Sequence, residues 1–143
     1  MKKTHIILTI FLTALLVTSC ETYDDYAERP VVAGFNLGNV LELPLSNNLP
    51  VINFNIPYFI SEASPSDRTF QIIVVADQTS APSSSYSFDS TIMIPANERS
   101  GSLAFTALNI DLTTEFQPLV LAFESTDGIV GGDVARIALK TNN

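Results

Sequence analysis

Histidine, cysteine and tryptophan are nearly missing from this chain of 143 residues. It has one histidine, His5, one cysteine, Cys20, and no tryptophan. A nucleophile that relies on histidine, or an ordinary zinc site, therefore has no imidazole beyond the first few residues. A single cysteine has no disulfide partner within the chain. No glycine-rich phosphate-binding loop occurs either, so we expect no cofactor and no enzyme activity.

Basic residues are also scarce. Seven lysines and arginines face 15 acidic residues, and the formal net charge is −8. Binding to nucleic acid requires a basic patch that neutralises phosphates, so nucleic acid is not an expected partner. Insertion into an anionic membrane surface is disfavoured for the same reason.

The N-terminal segment has the pattern of a bacterial lipoprotein signal peptide. Lys2 and Lys3 precede an apolar run from Ile6 to Val17, which is too short to remain as a membrane-spanning helix. The run ends in Val17-Thr18-Ser19-Cys20, which resembles a lipobox. This resemblance implies cleavage after residue 19 and attachment of lipid to the Cys20 thiol. The alternative is an ordinary secretory signal that happens to be followed by a cysteine.

An acidic segment follows the predicted lipidation site. Residues 20–30 contain Asp24, Asp25 and Glu28 and show no helical or strand periodicity. We interpret this segment as a tether between the lipid and a domain that spans residues 31–143. The acidic positions also resemble the signal that exports some lipoproteins to the surface of the outer membrane of Gram-negative bacteria. A solvated linker is the alternative interpretation.

The rest of the chain shows the period-two pattern of β-strands. In residues 51–60, Ile52, Phe54, Ile56 and Tyr58 alternate with polar residues or proline, as a half-buried strand requires. Similar patterns predict strands at 40–45, 69–76, 86–88, 91–94, 101–108, 119–124 and 134–140, with turns at 61–67 and 127–132. Pro44 and the short segment 86–88 indicate edge strands. The sequence predicts an all-β, antiparallel, Ig-like sandwich of about seven strands.

Residues 86–125 resemble part of a Calx-beta domain. The closest match is Ile94-Pro95-Ala96-Asn97-Glu98-Arg99-Ser100-Gly101, followed by alternating apolar residues. Asn97 replaces the glycine of the family pattern, and asparagine is one of the few residues that tolerate a positive φ. The family's Asp-Tyr pair is not kept, because Ser85 precedes Tyr86. The chain also resembles the Ig-like modules of Bacteroides-type envelope lipoproteins, many of unknown function.

Two kinds of site residue follow from these patterns. Some Calx-beta domains bind calcium through loop carboxylates, which makes Asp111, Asp127 and Asp133 the candidates here. Calcium requires six to eight converging oxygens, and no DxD or EF-hand spacing is present, so no metal site is predicted. Asp89-Ser90-Thr91 matches a short O-glycosylation pattern at Ser90, although a match of three residues is better explained by an ordinary turn into a strand.

The combined expectation is a lipid-anchored protein of the cell envelope, in the outer membrane of a Gram-negative bacterium. Its partners would be the membrane, through Cys20, and an unidentified protein or glycan. A protein-binding or scaffolding domain should show an exposed apolar patch or a free strand edge. A glycan-binding accessory module should instead expose Tyr58 or Tyr86. The loops 61–67, 78–85 and 109–117 are the candidate contact surfaces.

The lipobox generates the first testable prediction. Globomycin should block processing, and the protein should carry labelled palmitate, because several acyl chains at about 0.8 kcal/mol per methylene hold a protein stably in a membrane. Cys20→Ala should abolish labelling and release the protein from the membrane fraction. If the Cys20→Ala protein stays in that fraction, lipid on Cys20 is not the anchor.

Overall fold

The computed structural model describes residues 29–143, and every structural statement below refers to that range. Two short 3₁₀ segments, Ala76–Gln78 and Ser83–Ser85, interrupt a chain otherwise built of strands. No helix in residues 29–143 has the length and apolar character needed to span a membrane. The strands are β1 Val31–Phe35, β2 Leu41–Leu45, β3 Val51–Ile60, β4 Arg68–Val74, β5 Tyr86–Phe88, β6 Thr91–Ile94, β7 Ser100–Leu108, β8 Gln117–Phe123, β9 Ile129–Gly131 and β10 Ala135–Thr141.

The strands form two five-stranded sheets that pack face to face. The first sheet has the order β5-β7-β3-β1-β9, and the second has the order β2-β10-β8-β4-β6. The predicted all-β sandwich is therefore confirmed. Strands β2 and β5 lie at sheet edges, as Pro44 and the short segment 86–88 predicted, and β4 lies inside its sheet.

The structure has ten strands, against the predicted count of about seven, and every pair of consecutive strands lies in opposite sheets. Three stretches of chain show this with short connections. Each stretch places one strand in each sheet: β1 and β2 are joined by residues 36–40, β5 and β6 by residues 89–90, and β9 and β10 by residues 132–134. The segments with strand patterns in the sequence correspond to eight of the ten strands, and β1 and β9 are the two that were missed. The alternation of apolar residues does not reveal a change of sheet, because inward side chains face the same core from either side.

The sequence predicted a purely antiparallel sandwich, but two of the strand pairs are parallel. β1 pairs with β9 in parallel in the first sheet, and β2 pairs with β10 in parallel in the second. The first two strands and the last two strands of the domain both pass from the first sheet to the second. They therefore remain paired in both sheets, as β1 with β9 and as β2 with β10. Gly34 permits this close approach, because a Cβ at that position would lie 2.8 Å from the backbone nitrogen of Asp133.

Two strands were not predicted from the sequence. β1 lies in a short segment that contains Gly34, and β9 lies within residues 127–132, which were interpreted as a turn. Both have few residues, and β9 is flanked by glycines, so neither gives a readable alternation. They form as strands because β1 pairs with β3 on one side and with β9 on the other, and β9 is the edge strand of the first sheet.

The core follows the predicted alternation. Ile56 and Tyr58 on β3 are buried, and Asn53, Asn55 and Pro57 between and before them are exposed. Four aromatic rings join the two sheets at the centre. The ring centroid of Phe123 lies 4.9 Å from that of Phe35, 5.9 Å from that of Tyr58 and 6.0 Å from that of Phe70. Offset and edge-on ring pairs of this kind are favourable beyond the area they bury.

The turn between β6 and β7 has the conformation that the Calx-beta resemblance predicts. Asn97 has a φ of 66°, in the left-handed region. Its amide donates to the Ser64 carbonyl at 2.7 Å, and the Ala96 amide donates to Asp67 Oδ1 at 2.8 Å. These bonds tie the turn to the loop of residues 61–67, which leaves β3 at the same end of the sandwich.

This turn generates the second prediction. Asn97→Val should lower the free energy of unfolding by about 1–2 kcal/mol, because a β-branched residue is strained at positive φ. Asn97→Gly should change it by less than about 0.5 kcal/mol, because glycine adopts this conformation freely. Urea denaturation monitored by tyrosine fluorescence measures both values. Glu98→Val is the matched control, and an equal loss for the two valine variants would contradict the explanation.

Candidate binding surfaces

The predicted signal peptide, the lipobox residues Val17, Thr18 and Ser19, and the lipidation site Cys20 lie outside the described residues. The acidic tether positions Asp24, Asp25 and Glu28 also lie outside them. The structure therefore bears on the domain that would be anchored and not on the anchor. The domain begins at the start of β1, next to the end of β3, since Ala33 pairs with Ile60.

The calcium candidates are not brought together. Asp111 accepts a hydrogen bond from Ser84 Oγ at 2.8 Å in the loop after β7. Asp127 lies in the turn before β9, and Asp133 lies in the connection between β9 and β10. Across residues 29–143, no three acidic, histidine or cysteine side chains are grouped so that they could hold a metal ion. The arrangement gives no support to a calcium cage.

The glycosylation candidate Ser90 lies in the two-residue connection at which the chain passes from β5 to β6. Its carbonyl accepts a hydrogen bond from the Ile72 amide at 2.7 Å, and the residue is exposed. Its backbone is therefore fixed by the neighbouring strand, and its side chain is accessible. Modification of Ser90 stays a prediction.

Neither tyrosine named from the sequence forms an exposed platform for a sugar. Tyr58 is 7% exposed, and its ring lies over Gly101, where a Cβ would fall 2.3 Å from the Tyr58 hydroxyl oxygen. Tyr86 is half-buried and stacks on Phe88 and Phe105, with ring centroids 6.2 and 6.4 Å away. Both belong to the core or its margin, so the feature expected of a glycan-binding module is not found at these positions.

One of the three candidate loops lies at one end of the sandwich, and the other two lie at the opposite end. Residues 61–67 are at the end where the described chain begins. The loops 78–85 and 109–117 meet at the other end, where Ser84 Oγ donates to Asp111. The turn of residues 46–50 joins them, since the Asn109 amide donates to the Pro50 carbonyl at 2.8 Å.

This second end exposes several large apolar side chains. Leu49, Val51 and Ile110 are 50%, 43% and 47% exposed, and the Asn109–Pro50 hydrogen bond holds the segments that carry them together. We call these three residues the apolar end. Isolated exposed apolar residues are common on protein surfaces, but a contiguous group is typical of an interaction surface. Phe116 borders the same loop, and Lys140 Nζ covers its ring at 4.6 Å.

A pocket opens at the side of the sandwich where the first and last stretches change sheet. It has a volume of about 360 Å³, and it is lined by residues 35–40 together with Asp133, Val134 and Arg136. We call it the crossover pocket. The polar side chains around it belong to Asn36, Asn39, Asp133 and Arg136, and all four residues are exposed. No sequence pattern indicated this pocket, because it arises from the change of sheet.

No family model and no curated protein matches the sequence. Solved structures do match the fold. A Bacteroides ovatus protein of unknown function superposes with a TM-score of 0.62 at 15% identity, over 78% of this chain and 45% of that one. A multidomain B. ovatus protein that includes DUF1735 has a TM-score of 0.55 at 18% identity, over 76% and 45%. The chain thus spans about half the length of these Bacteroides proteins.

The apo form of the Calx CBD1 domain also superposes, with a TM-score of 0.53 at 10% identity. The match covers 80% of this chain and 99% of that domain. The chain has a Calx-beta-like fold. The resemblance predicted from residues 86–125 is therefore confirmed for the fold, and the Calx-beta-like sandwich extends well beyond those residues. At such low identity the likeness carries no ligand from one protein to the other.

The buried tyrosine generates the third prediction. Burial raises the pKa of the Tyr58 hydroxyl above its ordinary value of 10.0. A raised folded-state pKa means that the stabilisation is complete below about pH 10 and is lost as the pH rises through the folded value. The free energy of unfolding should therefore fall above pH 10. It should fall less steeply in Tyr58→Phe than in the wild type, and an equal slope in the two proteins would contradict the burial of Tyr58.

Proposed function

We propose that this protein is a lipid-anchored component of the outer membrane of a Gram-negative bacterium, and that its sandwich binds a protein partner without catalysis. The observation that carries the binding role is the apolar end, where Leu49, Val51 and Ile110 are exposed on segments that the Asn109–Pro50 hydrogen bond joins. This is the feature expected of an interaction or assembly domain. The lipobox at residues 17–20 supports the anchor, and the lack of histidine after His5 supports a non-catalytic role.

The position of the apolar end fits an anchored binding domain. β3 begins at Val51 in the apolar end and runs to Ile60, next to the start of the described chain. At about 3.3 Å per residue, this strand separates the two ends by roughly 30 Å. A lipid on Cys20, with a tether that reaches at most about 40 Å, would join the domain at the end opposite the apolar end and so leave the apolar end free to face away from the membrane.

The strand edges are less suited to binding than the apolar end. β2 contains Pro44, which has no amide hydrogen to donate, and β5 and β9 each have 3 residues. β6 has 4 residues, of which Met93 is 63% exposed. Short edges and proline discourage the addition of a further strand. We therefore assign partner binding to side chains of the apolar end.

The fourth prediction tests this assignment in cells that make the full chain. A photoreactive p-benzoylphenylalanine at position 49 should cross-link to a discrete protein partner, and the same group at position 98, at the opposite end, should not. Ile110→Asp should reduce the cross-link at position 49 at least about tenfold, which corresponds to 1.4 kcal/mol of binding free energy. Since Ile110 is already exposed, its replacement should change the stability by less than about 0.5 kcal/mol.

Two results would contradict the assignment. One is an equal pattern of cross-links from positions 49 and 98. The other is a cross-link at position 49 that persists unchanged in Ile110→Asp. Ile73→Asp is the matched control, because Ile73 is 41% exposed but lies on β4 rather than at the apolar end.

A further inference from the structure

The crossover pocket is a second candidate site, independent of the apolar end. It forms because the connections 36–40 and 132–134 leave the first sheet together and rejoin the second sheet as β2 and β10. The close approach of Asp133 to Gly34 fixes one wall, and the Phe35 amide donates to the Asp133 carbonyl at 2.8 Å. A pocket held by main-chain contacts of this kind is largely preformed, and its volume lies in the range of small-ligand sites.

Within residues 29–143, the polar side chains of the pocket form no side-chain hydrogen bonds with one another or with neighbouring residues. Other polar side chains in residues 29–143 form pairs, such as Asn53 with Thr106 and Asn47 with Asn143. The side-chain hydrogen bonds within that range do not include Asn36, Asn39, Asp133 or Arg136. The pocket thus presents two carboxamides, one carboxylate and one guanidinium to an incoming molecule.

This set of groups defines the chemistry of a ligand. A guanidinium binds a carboxylate through paired hydrogen bonds. A carboxylate accepts hydrogen bonds from hydroxyl groups, and carboxamides both donate and accept them. Leu37, which is half-buried, and Val40, which is exposed, supply an apolar surface beside these groups, suited to the C–H face of a sugar ring.

We propose that the crossover pocket binds the end of an acidic glycan, with Arg136 on the sugar carboxylate and Asp133, Asn36 and Asn39 on its hydroxyls. This inference goes beyond the proposed protein-binding role and does not rest on it. It also places a glycan contact away from Tyr58 and Tyr86, which the core occupies. Arg136 gives the site a preference for a carboxylate on an otherwise acidic protein.

Nuclear magnetic resonance titration of the protein from residue 20 onward tests the inference, with D-glucuronic acid and D-glucose as probes at pH 7. Saturable shifts should be confined to the amides of residues 36–40 and 133–136. Affinity for glucuronic acid should exceed that for glucose several-fold. Arg136→Gln should remove this difference while glucose still binds, and Asp133→Asn should weaken both sugars.

Control variants and a check of folding belong to the same titration. Arg99→Gln removes an equal charge from the turn between β6 and β7, outside the pocket, and should keep the preference for glucuronic acid. The proton–nitrogen spectrum of each variant shows whether it is folded, and Asn39→Ala offers a second route if Arg136→Gln is not. Absence of saturable shifts with both sugars, or a preference that survives Arg136→Gln, would overturn the inference.

Discussion

The packing of Phe123 against rings from both sheets holds this sandwich together. Phe35 and Tyr58 come from the first sheet, and Phe70 comes from the second sheet along with Phe123 itself. Because Phe35 is the last residue of β1, its place in this cluster decides where the chain leaves the first sheet. The connection 36–40 must then cross to the second sheet, and the crossover pocket is the space that this crossing leaves. The same cluster keeps Tyr58 inside, over Gly101, where it cannot act as a surface contact.

The two ends of the sandwich differ in polarity: one carries polar loops, and the other exposes large apolar side chains. The end near residue 29 carries the polar loop 61–67 and the turn around Asn97, tied together by hydrogen bonds. The opposite end carries Leu49, Val51 and Ile110 on segments joined by the Asn109–Pro50 hydrogen bond and by the pairing of β3 with β7. A β-sandwich can differ in this way because its loops contribute little to the core and are free to vary. An anchor at the first end would make the second end the one presented to partners.

Much of the fold could be predicted from particular residues. Ile56, Tyr58, Leu119, Leu121 and Phe123 alternate with outward residues, and this pattern is sufficient to define the strands and the shared core. The asparagine at position 97 indicated the left-handed turn that the structure shows. The changes of sheet could not be predicted, because an apolar side chain contacts the same core from either sheet. The parallel pairs β1–β9 and β2–β10 depend on contacts between the two ends of the domain, which no local pattern records.

The candidate sites were harder to predict than the fold. Leu49 and Ile110 occur in loops without periodicity, so their proximity appears only when Asn109 meets Pro50. The crossover pocket combines residues about a hundred positions apart.

The direct test of the central claim, that the apolar end faces away from an anchor on Cys20, is energy transfer from labelled cysteines to acceptor lipids in reconstituted membranes. Since Cys20 is the sole natural cysteine and would carry lipid, Leu49→Cys and Ala63→Cys can each be labelled alone. The account predicts weaker transfer from position 49 than from position 63; equal or stronger transfer from position 49 would contradict it.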